Sequence, residues 1–288
     1  MQHGGFGPAH AHNIALARSR SGYIIAIDDD GDTGVSIQSF DPSGNVVGSP
    51  RVLPGTSHPA LVERALDGVV SGGPLLVWSE VPSSGSTASG LPMRAELLAD
   101  DGTAETGPTL LTAVVPVGHT NGAFIGQGFL VVTESGGARL VALDGTITTP
   151  PISAIVGDDP GVAWSGMAGA LVSFGTKWQS FDASGSAIGA PVNLPKQIFI
   201  PSTIAMLGGD SIVAFGSGDT TTIDQDGEIS VGRFAADGTT VTAPFRVVVD
   251  PEALGEPKLA RRGAEVILAW VGGLRSYPGR IGIARLSP

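Results

Sequence analysis

An all-β chain of many short strands is what this sequence predicts, and three observations predict it. Glycine and proline are abundant, 43 and 21 of 288 residues, which punctuates the chain with tight turns. Compact apolar runs such as "GYIIAI" from Gly22 and "PLLVW" from Pro74 have the length of buried strands. A hairpin motif also recurs along the chain, the mark of a fold assembled from equivalent units.

The units can be read in order. The first holds a weak strand, "IALAR" from Ile14, then "GYIIAI", then the hairpin "FDPSGNVVGSPRVL" from Phe40. The second holds "ALVER" from Ala60, "PLLVW" and "LADDGTAETGPTLL" from Leu98, with "LVERALDGVVSGG" as an insertion of no evident place. The third shows "GFLVV" from Gly128 and "VALDGTITTPPISA" from Val141. The fourth runs "GVAWS" from Gly161, "ALVSF" from Ala170 and "FDASGSAIGAPVNL" from Phe181. The fifth has "SIVAF" from Ser211 and "FAADGTTVTAPFRV" from Phe234, and the last has "KLARR" from Lys258, "VILAW" from Val266 and "GRIGIARLSP".

In each of the five hairpins a proline follows the turn glycine by six residues: Gly44 and Pro50, Gly102 and Pro108, Gly145 and Pro151, Gly185 and Pro191, Gly238 and Pro244. An apolar residue stands four before each glycine. Asp-Gly or Ser-Gly supplies the positive φ of the turn, and proline is tolerated where its missing N–H is not needed, on an outer edge strand. Each hairpin therefore joins a third strand to an exposed fourth. The middle runs are apolar on both faces, which fits strands held between two neighbouring sheets.

Four-stranded units of this length resemble propeller blades, and the chain is similar to bacterial propeller repeats with an FxxxG(x5)P hairpin in each blade; it lacks the Gly-His and Trp-Asp signature of WD40 blades. The resemblance covers residues 1–288 as one domain and implies a six-bladed β-propeller of four-stranded antiparallel blades. Only five Gly/Pro hairpins serve six units, so the N-terminal segment around Gly7 and Pro8 is expected to supply the fourth strand of the last blade and close the ring.

Composition excludes several functions. The net charge is -11, and no Lys/Arg cluster could neutralise a run of phosphates, so nucleic acid is not an expected partner. No apolar run reaches the roughly 18 residues of a membrane helix. No basic segment followed by an apolar stretch opens the chain, so the location is expected to be secreted or periplasmic where a signal peptide has been removed and cytoplasmic otherwise. With no cysteine there are no disulfides, thiolate metal sites or cysteine nucleophiles. Arginine over lysine and abundant alanine point to a bacterial source with a GC-rich genome. The nucleophile elbow, phosphate loop, dinucleotide fingerprint and His-Glu-x-x-His motifs are all missing.

The residues that open each inner strand are His12, His58, His119, Asp159, Ser202 and Glu256. About 0.1 histidines are expected at six random positions, against three found. Three neutral imidazoles and the Asp159 carboxylate converging from adjacent blades would suit Zn, Fe, Cu or Ni and leave open positions for water or a small-molecule substrate. Asp158 and Glu256 could support such a site as second-sphere groups or a base. Glu256, with Arg275 and Tyr277 of "GGLRSYPGR", would contact the substrate. A weaker calcium reading falls on Asp28, Asp30 and Asp32 of "IDDDGDTG", echoed by "IDQDGEIS" from Ile223; Asp-Gly turns explain both stretches better, because no full calcium pattern is completed downstream. Trp78, Trp164 and Trp270 read as core between blades.

Two functions follow from these residues. The first is a metal-binding propeller with an axial histidine site, an enzyme if the open positions take substrate. The alternative is a non-catalytic propeller that binds a protein or glycan through its loops.

Overall fold

A computed structural model describes residues 11–29, 34–66, 68–80, 91–115, 120–133, 137–152, 161–164, 169–172, 177–182, 187–194, 203–217, 227–250, 257–272 and 280–286. Its described elements are all strands.

The first sheet is β1 (Ala11–Ser19), β2 (Gly22–Asp29), β3 (Gly34–Phe40) and β4 (Val46–Leu53), each paired antiparallel with the next. The second sheet begins with β5 (Thr56–Val62). A two-stranded hairpin, β6 (Ala65–Leu66) and β7 (Val69–Val70), is then inserted before β8 (Leu75–Glu80), β9 (Leu91–Leu97) and β10 (Thr109–Val115) complete the sheet. The insertion that the sequence leaves without a place is this hairpin, anchored where the Ser71 N–H and hydroxyl both donate to the Arg64 carbonyl, at 2.9 and 3.1 Å.

The third sheet is β11 (Thr120–Phe124), β12 (Gly128–Thr133), β13 (Gly137–Ala142) and β14 (Ile147–Ile152), and the fourth is β15 (Gly161–Trp164), β16 (Gly169–Val172), β17 (Lys177–Phe181) and β18 (Ala187–Asn193). The fifth is β19 (Thr203–Leu207), β20 (Asp210–Ser217), β21 (Gly227–Phe234) and β22 (Thr240–Asp250). The last holds three strands among the described residues: β23 (Lys258–Arg262), β24 (Glu265–Gly272) and β25 (Arg280–Leu286). The N-terminal strand expected to complete it, around Gly7 and Pro8, lies outside the described residues.

Each sheet packs on the next, and the apolar double faces of the second strands explain why. In β8, Leu76 and Trp78 face the first sheet and join Ile24, Ala26, Val35 and Ile37, while Leu75 and Val77 face the third and join Phe129 and Val131. Trp178 of the fourth sheet meets Met206, Phe215 and Phe234 of the fifth, and Ala214 and Ile229 of the fifth meet Val266 and Leu268 of the last. One strand thus feeds two cores because its side chains alternate between faces. The outer strand β4 is exposed over most of its length, as the proline-bearing edge requires. First strands also meet in succession, β1 with β5, β5 with β11, β11 with β15, β15 with β19 and β19 with β23, which sets them around a common axis.

Candidate ligand cavity

The end of the axis where the first strands finish encloses a cavity of about 500 Å³. Every first strand or its immediate continuation contributes to the wall: Arg18, Glu63, Phe124, Trp164, Met206 and Arg261 come from the six sheets in order. Ala65 and Gly68 of the β6–β7 hairpin add a lip from the second sheet. The size is that of a small-ligand site, and its lining mixes charged groups, Arg18, Glu63 and Arg261, with apolar ones such as Phe124 and Met206.

The polar groups are held firmly. Arg18 Nε donates to Glu63 Oε2 at 2.9 Å, its Nη2 donates to Oε1 at 2.5 Å, and its backbone N–H reaches Oε2 at 3.1 Å. Hydrogen bonding to Glu63, then its charge, raises the Arg18 guanidinium above its ordinary value, and the two-pronged contact ties the first two sheets together. Beside it Arg20 binds Asp100, and the Ser19 and Ser21 hydroxyls both donate to the Asp100 carbonyl. Arg261 Nε donates to the Gly263 carbonyl at 2.9 Å, which holds its stem along β23.

Trp164 ends β15 with its indole laid on Gly169 of β16. A Cβ at residue 169 would stand 2.3 Å from Trp164 Cε3, so glycine is what lets the ring lie flat there. The Trp164 Nε1 is buried with no hydrogen-bond partner among the described residues. Trp164, expected from the sequence to be core between sheets, instead lines the cavity and belongs to none of the buried apolar clusters among the described residues. Trp78 and Trp270 do pack in the cores between sheets.

The opposite end of the axis, where the first strands begin, carries His12 and His58. His58 has φ 52°, and its Nδ1 lies 2.8 Å from the Ser57 hydroxyl. The His58 backbone N–H donates to Asp28 Oδ2 at 3.0 Å, and the Asp28 side chain is buried. His12 is the extra residue of a bulge in β1, between Ala11 paired with Asp29 and Asn13 paired with Asp28. The backbone positions of His12 and His58 thus both flank Asp28. His119, Asp159, Glu256, Arg275, Tyr277, Asp30 and Asp32 lie outside the described residues. Among the described residues no three His, Asp or Glu side chains gather closely enough to hold a metal ion.

Arg18, Glu63 and Arg261 stand where first strands finish, the end opposite the residues singled out from the sequence. A signal was present, because "IALAR", "ALVER" and "KLARR" all close on charged residues at the same point of their units.

No protein-family model matches the chain, and no curated protein matches it in sequence. Solved structures do share its architecture. BBS1N, crystallised in complex with ARL6DN, superposes with a TM-score of 0.59 at 15% identity, over 96% of this chain and 79% of that one. A subtype N10 neuraminidase-like protein of A/little yellow-shouldered bat/Guatemala/060/2010 gives 0.53 at 8% identity, over 96% of this chain and 92% of that one. Likeness at this identity establishes fold alone. With the sheets packed in succession around one axis, it defines the chain as an all-β propeller of antiparallel sheets. No helix among the described residues is long and apolar enough to cross a membrane.

Proposed function

We propose that this is a non-catalytic binding propeller of six blades, the three-stranded sheet serving as the last, which takes the end of a glycan in the cavity where its first strands finish. The observation that carries the reading is the cavity wall, which combines an aromatic residue, Trp164, with the hydrogen-bonded Arg18–Glu63 pair. Sugars offer an apolar face for stacking and a rim of hydroxyls for charge-assisted hydrogen bonds, and this wall provides both partners. The β6–β7 hairpin supplies the loop contact that distinguishes one ligand from another.

The purified chain applied to an array of immobilised oligosaccharides tests this. Binding to a defined subset, lost in both Trp164→Ala and Arg18→Ala while far-UV circular dichroism is retained, is the expected result. Binding that survives both substitutions overturns the reading.

One observation favours a second reading. His12 and His58 flank buried Asp28, and with His119 and Asp159 they would form the axial site for Zn, Fe, Cu or Ni. Metal analysis of the untagged chain decides it: a stoichiometric ion lost in His58→Ala supports the site, and metal-free protein unaltered in melting temperature by added Zn, Cu, Fe or Ni rejects it.

A further inference from the structure

The cavity wall is divided in two. Arg261 of the last sheet, Arg18 of the first and Glu63 of the second put charged groups on one side of the axis. Phe124 of the third, Trp164 of the fourth and Met206 of the fifth, whose first strands are neighbours in that order, stand on the other. Among the described lining residues, those three sheets contribute no charged or strongly hydrogen-bonding side chain apart from the Trp164 indole. Ala123, Ala163 and Ala205, each one residue earlier on the same strands, add only methyl groups.

The two halves offer a ligand different chemistry. Glu63 accepts from Arg18 Nε at 2.9 Å and from its Nη2 at 2.5 Å, and both side chains stay within reach of solvent, 45% and 29% exposed. A guanidinium has further N–H donors and a carboxylate further lone pairs, so the pair can bind hydroxyls while keeping its own contact. Vicinal hydroxyls, which donate and accept, match a wall that does both.

The apolar half has the opposite character. Phe124 and Met206 are 6% and 4% exposed, because most of each side chain lies in the cores between sheets. What they show the cavity is a small patch of carbon and sulfur, which the close-packed cores hold in place. The Trp164 Nε1 is buried, so the indole adds carbon to the same patch. The Gly122 N–H, on the same side, is donated to Asn121 Oδ1 at 2.8 Å. A ligand hydroxyl placed here gives up its water without a side-chain partner, which weakens binding, whereas a methyl group strengthens it.

On the reading that the cavity takes the end of a glycan, we propose that this end is a 6-deoxyhexose. Its vicinal hydroxyls meet the Arg18–Glu63 pair, and the methyl group that replaces the hydroxymethyl of a hexose lies against Phe124, Trp164 and Met206. The smallness of the apolar patch carries the assignment, since it covers one methyl group and offers nothing to the oxygen that a hexose adds there. The matched hexose is rejected because that hydroxyl is left unpaired.

Calorimetric titration of the purified chain with three matched pairs of methyl glycosides tests this: L-fucose against L-galactose, L-rhamnose against L-mannose, and D-quinovose against D-glucose. In at least one pair the deoxy member is expected to bind about tenfold or more tighter than its hexose. Met206→Gln places an amide beside the extra hydroxyl, and Ala163→Ser is a smaller change to the same side; either should narrow the gap while far-UV circular dichroism is retained. If the hexose binds as tightly as the deoxy sugar in every pair that binds, or the oligosaccharide array responds only to glycans with other ends, the inference is overturned and the glycan reading stands. A gap undiminished in both folded variants overturns it as well. No response to any saccharide, in titration or on the array, overturns the glycan reading itself and this inference with it.

Discussion

Arg51 of the first sheet closes a two-pronged ion pair on Glu96 of the second, with Nη1 2.5 Å from Oε1 and Nη2 3.0 Å from Oε2. The Glu96 side chain is 3% exposed. A carboxylate at that depth depends on its partner, because removing one member of a buried pair leaves the other charge desolvated and unmatched. Arg51→Ala is therefore expected to destabilise the protein by about 2–3 kcal/mol, less than a wholly buried pair because part of the guanidinium reaches solvent. The double variant Arg51→Ala/Glu96→Gln should recover part of this loss. Urea melts of the three proteins measure both values.

The hairpin aspartates predict how the fold responds to acid. Asp41 is held below the ordinary aspartate value of 3.8 by the Asn45 side chain and then by backbone N–H groups. Asp101, Asp144 and Asp237 are lowered by the side chains of Thr103, Thr146 and Thr239, each followed by that residue's backbone N–H. A carboxyl group whose folded value is depressed contributes stability that is complete above its unfolded value and is lost as pH falls through the folded one. The melting temperature should thus be flat near neutrality and fall once pH drops below about 4. Asparagine keeps the acceptor for the backbone N–H but does not titrate, so Asp→Asn at all four positions should flatten that acid limb. Scanning calorimetry between pH 2.5 and 7 checks it.

Gly44 and Gly102 occupy the same place in two hairpins, with φ of 84 and 83°, but only Gly102 presses on a neighbouring sheet. Alanine at residue 44 meets the left-handed backbone alone, which costs about 1 kcal/mol. Alanine at residue 102 meets the same backbone and also the Ser39 hydroxyl, which donates to the Asp101 carbonyl at 2.6 Å. Gly102→Ala should therefore be worse than Gly44→Ala by about 1–3 kcal/mol, the usual range for overpacking. Ser39→Ala should narrow the gap between them, and equal losses at the two glycines would show that the close approach is absent.

How much of this was legible in the sequence depended on how local the determinant is. The doubly apolar second strands were readable because burial on two faces removes polar residues from the run itself, as in Leu75 to Trp78. The third and fourth strands were readable because a turn with positive φ and a proline edge each demand particular residues, as at Gly44 and Pro50. The β6–β7 hairpin carried an Asp67-Gly68 turn signal, but its flanking pairs are too short to register as strands. The cavity was not legible, since both ends of a first strand are polar and only the packing of all six reveals which end opens. Trp164 showed the limit most clearly: an indole on a first strand reads in sequence alike as core or as cavity wall, and only the close approach of Gly169 in three dimensions fixes where it lies.

That approach yields the sharpest test of the cavity wall. Residue 169 lies on β16 without a positive φ among the described glycines, so alanine there carries no left-handed strain, and its effect is steric. Its Cβ would meet Trp164 Cε3 at 2.3 Å and Cζ3 at 2.7 Å, distances that require the indole to move, at a cost of about 1–3 kcal/mol. The strand pairing of Trp164 with Gly169 holds the backbones together, so the ring itself must move, and a swing toward the cavity is the expected outcome. Gly169→Ala is therefore expected to weaken any ligand bound in the cavity about tenfold or more, and to shift Trp164 emission, read in a Trp78→Phe/Trp178→Phe/Trp270→Phe background. Arg20→Ala, on the outer side of the Arg18–Glu63 pair, should leave both readouts nearly unchanged. If Gly169→Ala destabilises the fold while emission and binding stay as before, the ring has moved into the core instead, and Trp164 does not form the wall that the ligand touches.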